Sequence, residues 1–147
     1  MSAFVELEPG FCVSPQIDAD DVKRAAESGF ALIVNNRPDG EEDAQPTGAD
    51  LAEQARCLGL IWVDIPVTHA GFSASQLERL AEALDDAAGP VLAYCRSGTR
   101  STMLWALTKA RAGRHPAELQ ERAAEAGYDL TALRPLLDQQ AARAPGR

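Results

Sequence analysis

A short polar loop joins an apolar run to a helical pattern in the segment Val91-Leu92-Ala93-Tyr94-Cys95-Arg96-Ser97-Gly98-Thr99-Arg100-Ser101. The apolar run predicts a buried strand, and the stripe Met103, Leu104 and Leu107 predicts a helix from about Arg100 to Ala112. Where a loop leaves a strand and enters a helix, backbone N–H groups converge, and with the helix dipole they favour negative charge. The segment therefore predicts a strand–loop–helix unit with an anion site beside Cys95.

The segments on both sides continue this alternation of strands and helices. Apolar runs predict three more strands, at Phe11–Ser14, Phe30–Asn35 and Leu60–Ile65. Capping residues and apolar stripes predict further helices, at 18–28, 50–58, 73–88, 116–126 and 131–142. Asp18 is the expected cap of the first of these, and Ser73 and Gln76 have the spacing of a capping box. The polar stretches 36–48 and 66–72 are predicted loops.

Such an alternation is typical of one α/β domain. We expect three layers, with a mostly parallel central sheet and helices on both faces. Residues 1–147 are expected to form a single domain, with its core at about 11–130, C-terminal helices to about 142, and a frayed tail over 143–147. Because ligands bind at the carboxyl ends of parallel strands, the loops 36–48, 66–72 and 95–100 should lie together.

The composition argues against several classes of function. The formal net charge of −8 disfavours nucleic-acid binding, which uses a basic face. No apolar stretch approaches the roughly 18 residues of a membrane span, and the residues Met1-Ser2-Ala3-Phe4 do not lead us to expect a signal peptide. Three cysteines without paired spacing indicate free thiols and a cytoplasmic location. His69 and His115 lack ligand spacing to the cysteines, so we expect no metal and no other cofactor.

Cys95 is the predicted nucleophile. Its neighbours are Arg, Ser, Gly, Thr and Arg rather than apolar residues, and positive surroundings at a helix N-terminus favour the reactive thiolate form of cysteine. Gly98 allows the loop to turn with its amides inward, as a nest for an anion. Cys12, in an apolar run, and Cys57, near a helix end, are interpreted as small buried hydrophobes, with a redox or resolving role as the alternative.

Arg100 and Ser101 complete the predicted catalytic set. Arg100 can direct two N–H groups onto one oxyanion, which lysine cannot do. Ser101 can donate its hydroxyl to the thiolate and steady it as attacker or leaving group. The alternatives are a solvated surface arginine and a simple helix N-cap.

The remaining loop residues are predicted to bind the substrate: Arg96, Ser97, Gly98 and Thr99. Arg37 joins them, because it follows the Phe30–Asn35 strand at its carboxyl end and so faces the same pocket. Arg96 is alternatively a solvated surface arginine, and Arg37 alternatively pairs with Asp39 or Glu41 in a surface turn.

The segment Cys95–Ser101 resembles the active-site loop of rhodanese-type sulfurtransferases, and it is similar to the cysteine phosphatase signature. The wider chain, over about 11–130, resembles the phosphatase-like domain of the beta-lactamase hydrolase-like proteins. The segments that carry this resemblance are Ser14-Pro15-Gln16-Ile17, Asn35-Asn36-Arg37-Pro38-Asp39-Gly40-Glu41, Ile65-Pro66-Val67, and Leu92 through Leu107. The resemblance implies a catalytic domain with a cysteine-phosphatase-like fold of the dual-specificity type.

Two departures from the phosphatase pattern bear on the reaction. Four residues, not five, separate Cys95 from Arg100, and the missing residue removes up to roughly 3.3–3.6 Å of chain. The resemblance to rhodaneses implies that this smaller loop suits a single sulfur atom better than a phosphoryl group. A phosphatase also needs a general acid, usually an Asp, and the loop Val67–Phe72 contains no carboxylate. His69, otherwise a solvated loop residue, and Asp64, inside the preceding strand, are the accessory candidates.

The sequence therefore favours a cytoplasmic sulfurtransferase that carries sulfane sulfur as a Cys95 persulfide. Its substrate would be a small sulfur donor such as thiosulfate or a persulfide, with a partner enzyme in sulfur metabolism. The first alternative is a phosphatase-like hydrolase that acts on a phosphoester through a Cys95 phosphoenzyme. The second is a redox-sensing or anion-binding module with little turnover.

Overall fold

The computed structural model describes residues 3–144, which form five strands, six helices and one 3-10 turn. The strands are β1 Val5–Glu8, β2 Phe11–Ser14, β3 Leu32–Asn35, β4 Ile61–Asp64 and β5 Val91–Tyr94. The helices are α1 Ala19–Glu27, α2 Gly48–Cys57, α3 Ala74–Asp86, α4 Thr99–Arg111, α5 Pro116–Glu125 and α6 Arg134–Ala142, and the 3-10 turn is Thr131–Leu133.

The strands form one sheet in the order β1-β2-β5-β3-β4. Strands β2, β5, β3 and β4 are parallel, and β1 pairs antiparallel with β2 at the edge. The predicted mostly parallel sheet is therefore confirmed. Strand β5, which leads to Cys95, is the central strand, so the loop that follows it opens between the ends of β2 and β3.

Strand β1 was absent from the sequence prediction. Its residues Val-Glu-Leu-Glu alternate in polarity, and Leu7 is buried while its neighbours are more exposed. Pro9-Gly10 follows and supplies the turn into β2, with Gly10 at a positive φ of 91°. The period-two pattern was the available signal, but four residues are too few for it to stand out.

The two faces of the sheet carry separate hydrophobic clusters, which gives the three layers that were predicted. Ile33 and Leu92 point to the face covered by α1 and α2. Val34 and Ala93, one residue further along the same strands, point to the face covered by the remaining helices. All four side chains are essentially buried, because side chains alternate between the faces of a strand and this sheet is covered on both.

Local capping chemistry sets where the helices begin. Asp18 forms a capping box with Asp21 at the start of α1, and Ser73 forms one with Gln76 at the start of α3. Both caps were predicted. Helix α2 starts two residues before the expected Asp50, because Thr47 accepts the first free N–H groups and acts as its cap.

The C-terminal segment departs from the sequence expectation in one place, because the predicted helix over 131–142 is divided into the 3-10 turn and α6. Of the tail expected to fray, Ala144 is buried, and residues 145–147 lie outside the described residues. Within residues 3–144 no helix has the length and apolarity needed to cross a bilayer.

Candidate active site

Cys95 lies directly beyond the end of β5, beside the N-terminus of helix α4. Gly98 is the N-cap of that helix and has a φ of 93°, in the left-handed region. This turn directs the Gly98 N–H at Cys95, where it donates to Sγ over 3.1 Å. The sulfur therefore lies at a helix N-terminus with a backbone donor aimed at it, as the loop pattern predicted.

The Cys95 side chain is buried in this arrangement. Cys95 is 0% exposed, and its own N–H donates to the carbonyl oxygen of Ser14 on the adjacent strand over 3.3 Å. The central position of β5 in the sheet explains this burial, because loops from β2 and β3 close on both sides of it.

Arg100 is not a solvated surface arginine. Its two terminal nitrogens donate to the two carboxylate oxygens of Glu41, each over 2.9 Å, and Nη1 also donates to the Val67 carbonyl over 2.8 Å. The hydrogen bond to Glu41 raises the pKa of Arg100, and the charge and hydrogen bonding of the neighbouring Cys95 raise it further. The guanidinium thus lies near enough to Cys95 for the two groups to interact electrostatically, and Glu41 already occupies its fork.

Arg37 shares the same carboxylate. Its Nε donates to Glu41 over 2.8 Å, its Nη2 to Glu42 over 2.8 Å, and its Nη1 to Gln16 over 3.0 Å. Its side chain is only 3% exposed, but Glu41 and Glu42 are exposed residues of the turn after β3, so the pairing with Glu41 is the one that the alternative named. Arg37 lines two other depressions, beside Gly48 and beside Gln45, rather than the pocket of the Cys95 loop. Asp39, the other partner that the alternative named, accepts the Gly48 N–H at the start of α2.

Together these side chains form what we call the arginine–glutamate cluster: Arg37, Arg96, Arg100, Glu41 and Glu42. Hydrogen bonding to Arg100 is the main cause that lowers the pKa of Glu41 to about 2, with Arg37 adding to it and desolvation opposing it. Glu41 is therefore ionised at any ordinary pH. The sequence prediction missed the part that Glu41 and Glu42 play, because their spacing to Arg100 exists only in the fold.

The predicted substrate-binding residues of the loop separate into two groups. Arg96 points outward, with its side chain 69% exposed and its Nε 3.3 Å from Glu42. Ser97 and Thr99 bond to each other, with the Ser97 hydroxyl donating to Thr99 Oγ1 over 2.9 Å. All three nevertheless line a cavity of about 770 Å³ beside the loop.

This cavity brings together the loops that the sequence expected to meet. Its wall includes Pro38 and Glu41 from the loop after β3, and Val67, Thr68, His69 and Phe72 from the loop after β4. Met103 of α4 adds a further apolar side chain to this wall. His69 is exposed in this wall, so it is brought to the site.

Asp64 is not brought to the site. Its Oδ1 accepts the indole N–H of Trp62 over 2.9 Å and the amide of Asn35 over 3.1 Å. It lines a different, polar depression beside Gly48 and Asp39.

The predicted contact between Ser101 and the thiolate is replaced by another one. The Ser101 hydroxyl donates to Asn36 Oδ1 over 2.8 Å, and the Asn36 amide in turn donates to the Ile65 carbonyl over 2.9 Å. A hydroxyl has one proton to donate, so Ser101 here joins the α4 N-terminus to the loop after β3 rather than to Cys95.

The other two cysteines differ in their exposure to solvent. Cys12 is partly buried, and burial, with the charge of Glu6, raises the pKa of its thiol. Cys57 is exposed, so its interpretation as a buried hydrophobe is wrong. Across residues 3–144 no three His, Cys, Asp or Glu side chains are grouped in a way that could hold a metal ion.

Comparison with known proteins decides the family. A sequence model of the family described as beta-lactamase hydrolase-like protein, phosphatase-like domain, matches residues 3–112. This chain belongs to that family. The resemblance carried by the Cys95 loop and the flanking motifs is thereby confirmed.

Curated relatives include beta-lactamase hydrolase-like proteins of Xylella fastidiosa strain 9a5c and Agrobacterium fabrum strain C58. Each is 32% identical over 142 residues, which cover 96% of this chain but 33% of the relative. The chain therefore spans about one third of the length of these relatives.

Solved structures confirm the fold. A putative phosphatase from Neisseria meningitidis Z2491 is 33% identical, with a TM-score of 0.82 over 93% of this chain and 97% of that one. A putative phosphatase from Shewanella putrefaciens CN-32 is 21% identical, with a TM-score of 0.74 over 97% and 90% of the two chains. The predicted cysteine-phosphatase-like α/β fold is therefore confirmed, and of the two enzyme classes considered, these findings support the phosphatase-like hydrolase. They do not confirm the sulfurtransferase interpretation.

Proposed function

We propose that this chain is a cysteine-dependent phosphatase-like hydrolase that cleaves a phosphoester through a phosphoenzyme on Cys95. The observation that carries the proposal is the Gly98 N–H aimed at Cys95 Sγ from the N-terminus of α4, with the Arg100 guanidinium beside the thiol. Family membership supports the same class of reaction. We also propose that one domain holds the whole site, because the contributing loops all leave the same sheet.

In this reaction the Cys95 thiolate attacks phosphorus and forms a sulfur–phosphorus bond, while the bond to the ester oxygen breaks. The leaving oxygen takes a proton, and water then attacks the phosphocysteine to release phosphate and regenerate the thiolate. The loop amides and Arg100 would stabilise the charge that develops on the phosphoryl oxygens. His69 is the candidate proton donor, because it lies in the cavity wall and the loop that carries it has no carboxylate.

Glu41 sets a condition on substrate binding. It holds both terminal nitrogens of Arg100, so a phosphoryl oxygen must share the guanidinium with this carboxylate or displace it. The apolar wall formed by Val67, Phe72 and Met103 indicates a substrate with an apolar group next to its phosphate. An aryl phosphate has this combination.

The test is turnover of p-nitrophenyl phosphate by the wild-type protein, by Cys95→Ser and by Cys57→Ser. We expect turnover to disappear in Cys95→Ser and to persist in Cys57→Ser, which removes an exposed thiol away from the loop. Rapid acid quenching followed by mass analysis should find a phosphoryl group on Cys95. Equal turnover by the wild type and Cys95→Ser would end the proposal.

Sulfur transfer remains the second candidate, because the loop from Cys95 to Arg100 has one residue fewer than a phosphatase loop. There, the Cys95 thiolate attacks the outer sulfur of thiosulfate, sulfite leaves, and a second thiophile removes the sulfur from the persulfide. Such chemistry fits free thiols in a reducing compartment and a partner enzyme that accepts the sulfur. Incubation with thiosulfate should then leave one sulfur atom on Cys95 and release one sulfite, and neither would occur in Cys95→Ser.

No observation at the site favours the oxidant-sensing alternative over turnover, because the burial of Cys95 restricts an oxidant and a phosphoester alike.

A further inference from the structure

Tyr128 contacts the Cys95 loop from a part of the chain that lies beyond the family match. It follows α5, well after residue 112 where the match ends. Its hydroxyl donates to the carbonyl oxygen of Ser97 over 3.2 Å. The ring packs against the hydrophobic cluster that α4, α5 and α6 share, so the hydroxyl is held over the loop by a packed side chain.

The close approach of Tyr128 to Gly98 shows how tightly this contact is built. A Cβ at position 98 would lie 2.2 Å from the Tyr128 hydroxyl oxygen and 3.0 Å from Cζ. Only a residue without a Cβ allows the phenol to sit there. Glycine is therefore required at position 98 for two reasons: the backbone has a positive φ, and the Tyr128 hydroxyl occupies the space where a Cβ would lie.

The Ser97 carbonyl and the Gly98 N–H are the two ends of one peptide group. The first accepts from Tyr128, and the second donates to Cys95 Sγ over 3.1 Å. A trans peptide is planar, with its C=O and N–H on opposite sides. A hydrogen bond that holds the carbonyl toward Tyr128 therefore also holds the N–H toward the sulfur, and it polarises that N–H as a donor.

We propose that Tyr128 is a positioning residue for the nucleophile, which acts by holding the 97–98 peptide with its N–H directed at Cys95. Rotation of this peptide would present a carbonyl oxygen to the sulfur and disfavour the thiolate. The proposal deepens the proposed function and rests on it only in taking Cys95 as the nucleophile. Burial raises the pKa of Tyr128, and the nearby charge of Cys95 raises it further, which agrees with an electrostatic link between the two side chains.

The test compares the pH dependence of Cys95 alkylation by iodoacetamide in the wild type and Tyr128→Phe. Both proteins carry Cys12→Ser and Cys57→Ser so that only one thiol reacts. Phenylalanine keeps the ring and its packing and removes only the hydroxyl. We expect the pH midpoint of alkylation to rise by about half a unit to one unit, the size expected for one neutral hydrogen bond.

Thr131→Val is the matched control, since it removes a nearby hydroxyl that bonds to Asp129 and does not touch the loop. Its midpoint should equal that of the wild type. A second measurement follows the ionisation of Tyr128 by its ultraviolet absorbance, where Cys95→Ser should lower the midpoint by removing the neighbouring charge. An unchanged alkylation midpoint in folded Tyr128→Phe, or an unchanged tyrosine midpoint in Cys95→Ser, would overturn the proposal.

These readouts separate this proposal from the proposed function. A shifted alkylation midpoint without turnover of any phosphoester would leave the positioning role intact and remove the phosphatase. Turnover that depends on Cys95, with the alkylation midpoint unchanged in Tyr128→Phe, would support the phosphatase and overturn the positioning role of Tyr128.

Discussion

Replacement of Gly98 by alanine should destabilise the protein through two separate costs. The first is the positive φ of 93° at this position, where a residue with a Cβ pays roughly 1–2 kcal/mol. The second is the Tyr128 hydroxyl, which would lie 2.2 Å from the new Cβ and must move away from Ser97. Loss of that hydrogen bond costs about 0.5–1.5 kcal/mol.

Together the two costs amount to about 2–3 kcal/mol, which in a chain of this size lowers the midpoint of thermal unfolding by roughly 5–10 °C. The assay is thermal unfolding followed by circular dichroism. Gly10→Ala is the matched control, because Gly10 has nearly the same φ of 91° but no atom within 4 Å of its Cβ position. It should lose only the backbone part, about half as much.

The difference between the two variants isolates the contact between Tyr128 and the loop. Equal losses in Gly98→Ala and Gly10→Ala would contradict this prediction, since they would mean that contact with Tyr128 adds no cost at position 98. Alkylation of Cys95 in Gly98→Ala gives an independent check, because displacement of Tyr128 should also slow it at neutral pH.

Three further predictions concern the surrounding contacts. Because the pKa of Glu41 is lowered from 4.5 to about 2, its contribution to stability is complete above pH 4.5 and is lost as the pH falls toward 2. The urea midpoints of the wild type and Glu41→Gln should therefore differ most above pH 5 and converge in acid. Arg100→Lys should lower kcat/KM for p-nitrophenyl phosphate by about 10²-fold, because a single ammonium cannot replace the guanidinium fork. Ser101→Ala should lower the free energy of unfolding, measured in urea, by about 1–3 kcal/mol, because it leaves buried Asn36 Oδ1 without its donor.

A different outcome would contradict each of these three predictions. The first prediction fails if the stability difference between the wild type and Glu41→Gln is the same at pH 6 and at pH 2, within an extrapolation error of roughly 10–15%. The ion pair of Glu41 would then not contribute to stability. Full activity in Arg100→Lys would show that only charge matters at that position. An unfolding free energy unchanged in Ser101→Ala would show that water replaces the hydroxyl.

Much of the fold could be predicted from local patterns. The continuous apolar run that ends in β3 and the capping box of Ser73 and Gln76 are short-range signals, and both elements appear where they were expected. Strand β1 was missed because four alternating residues carry too weak a pattern, and its pairing with β2 is what makes it a strand.

The candidate site was predictable only in part. Cys95, Gly98 and Arg100 are adjacent in sequence, so the loop and its anion-binding character were visible. The partners that decide how these residues act come from distant segments. Glu41 is 59 residues from Arg100, and Tyr128 is 31 residues from Ser97.

Short-range signals were enough to place a thiol between a strand and a helix N-terminus, because hydrophobic periodicity, glycine conformation and helix capping act over a few residues. The complete fold was needed to show that this thiol is buried, that Glu41 already holds Arg100, and that Tyr128 orients the peptide facing the sulfur. Those contacts depend on the strand order that places β5 between β2 and β3, and on helices that pack from the far end of the chain. Contacts of that kind follow from the packing of the whole core, so no local pattern encodes them.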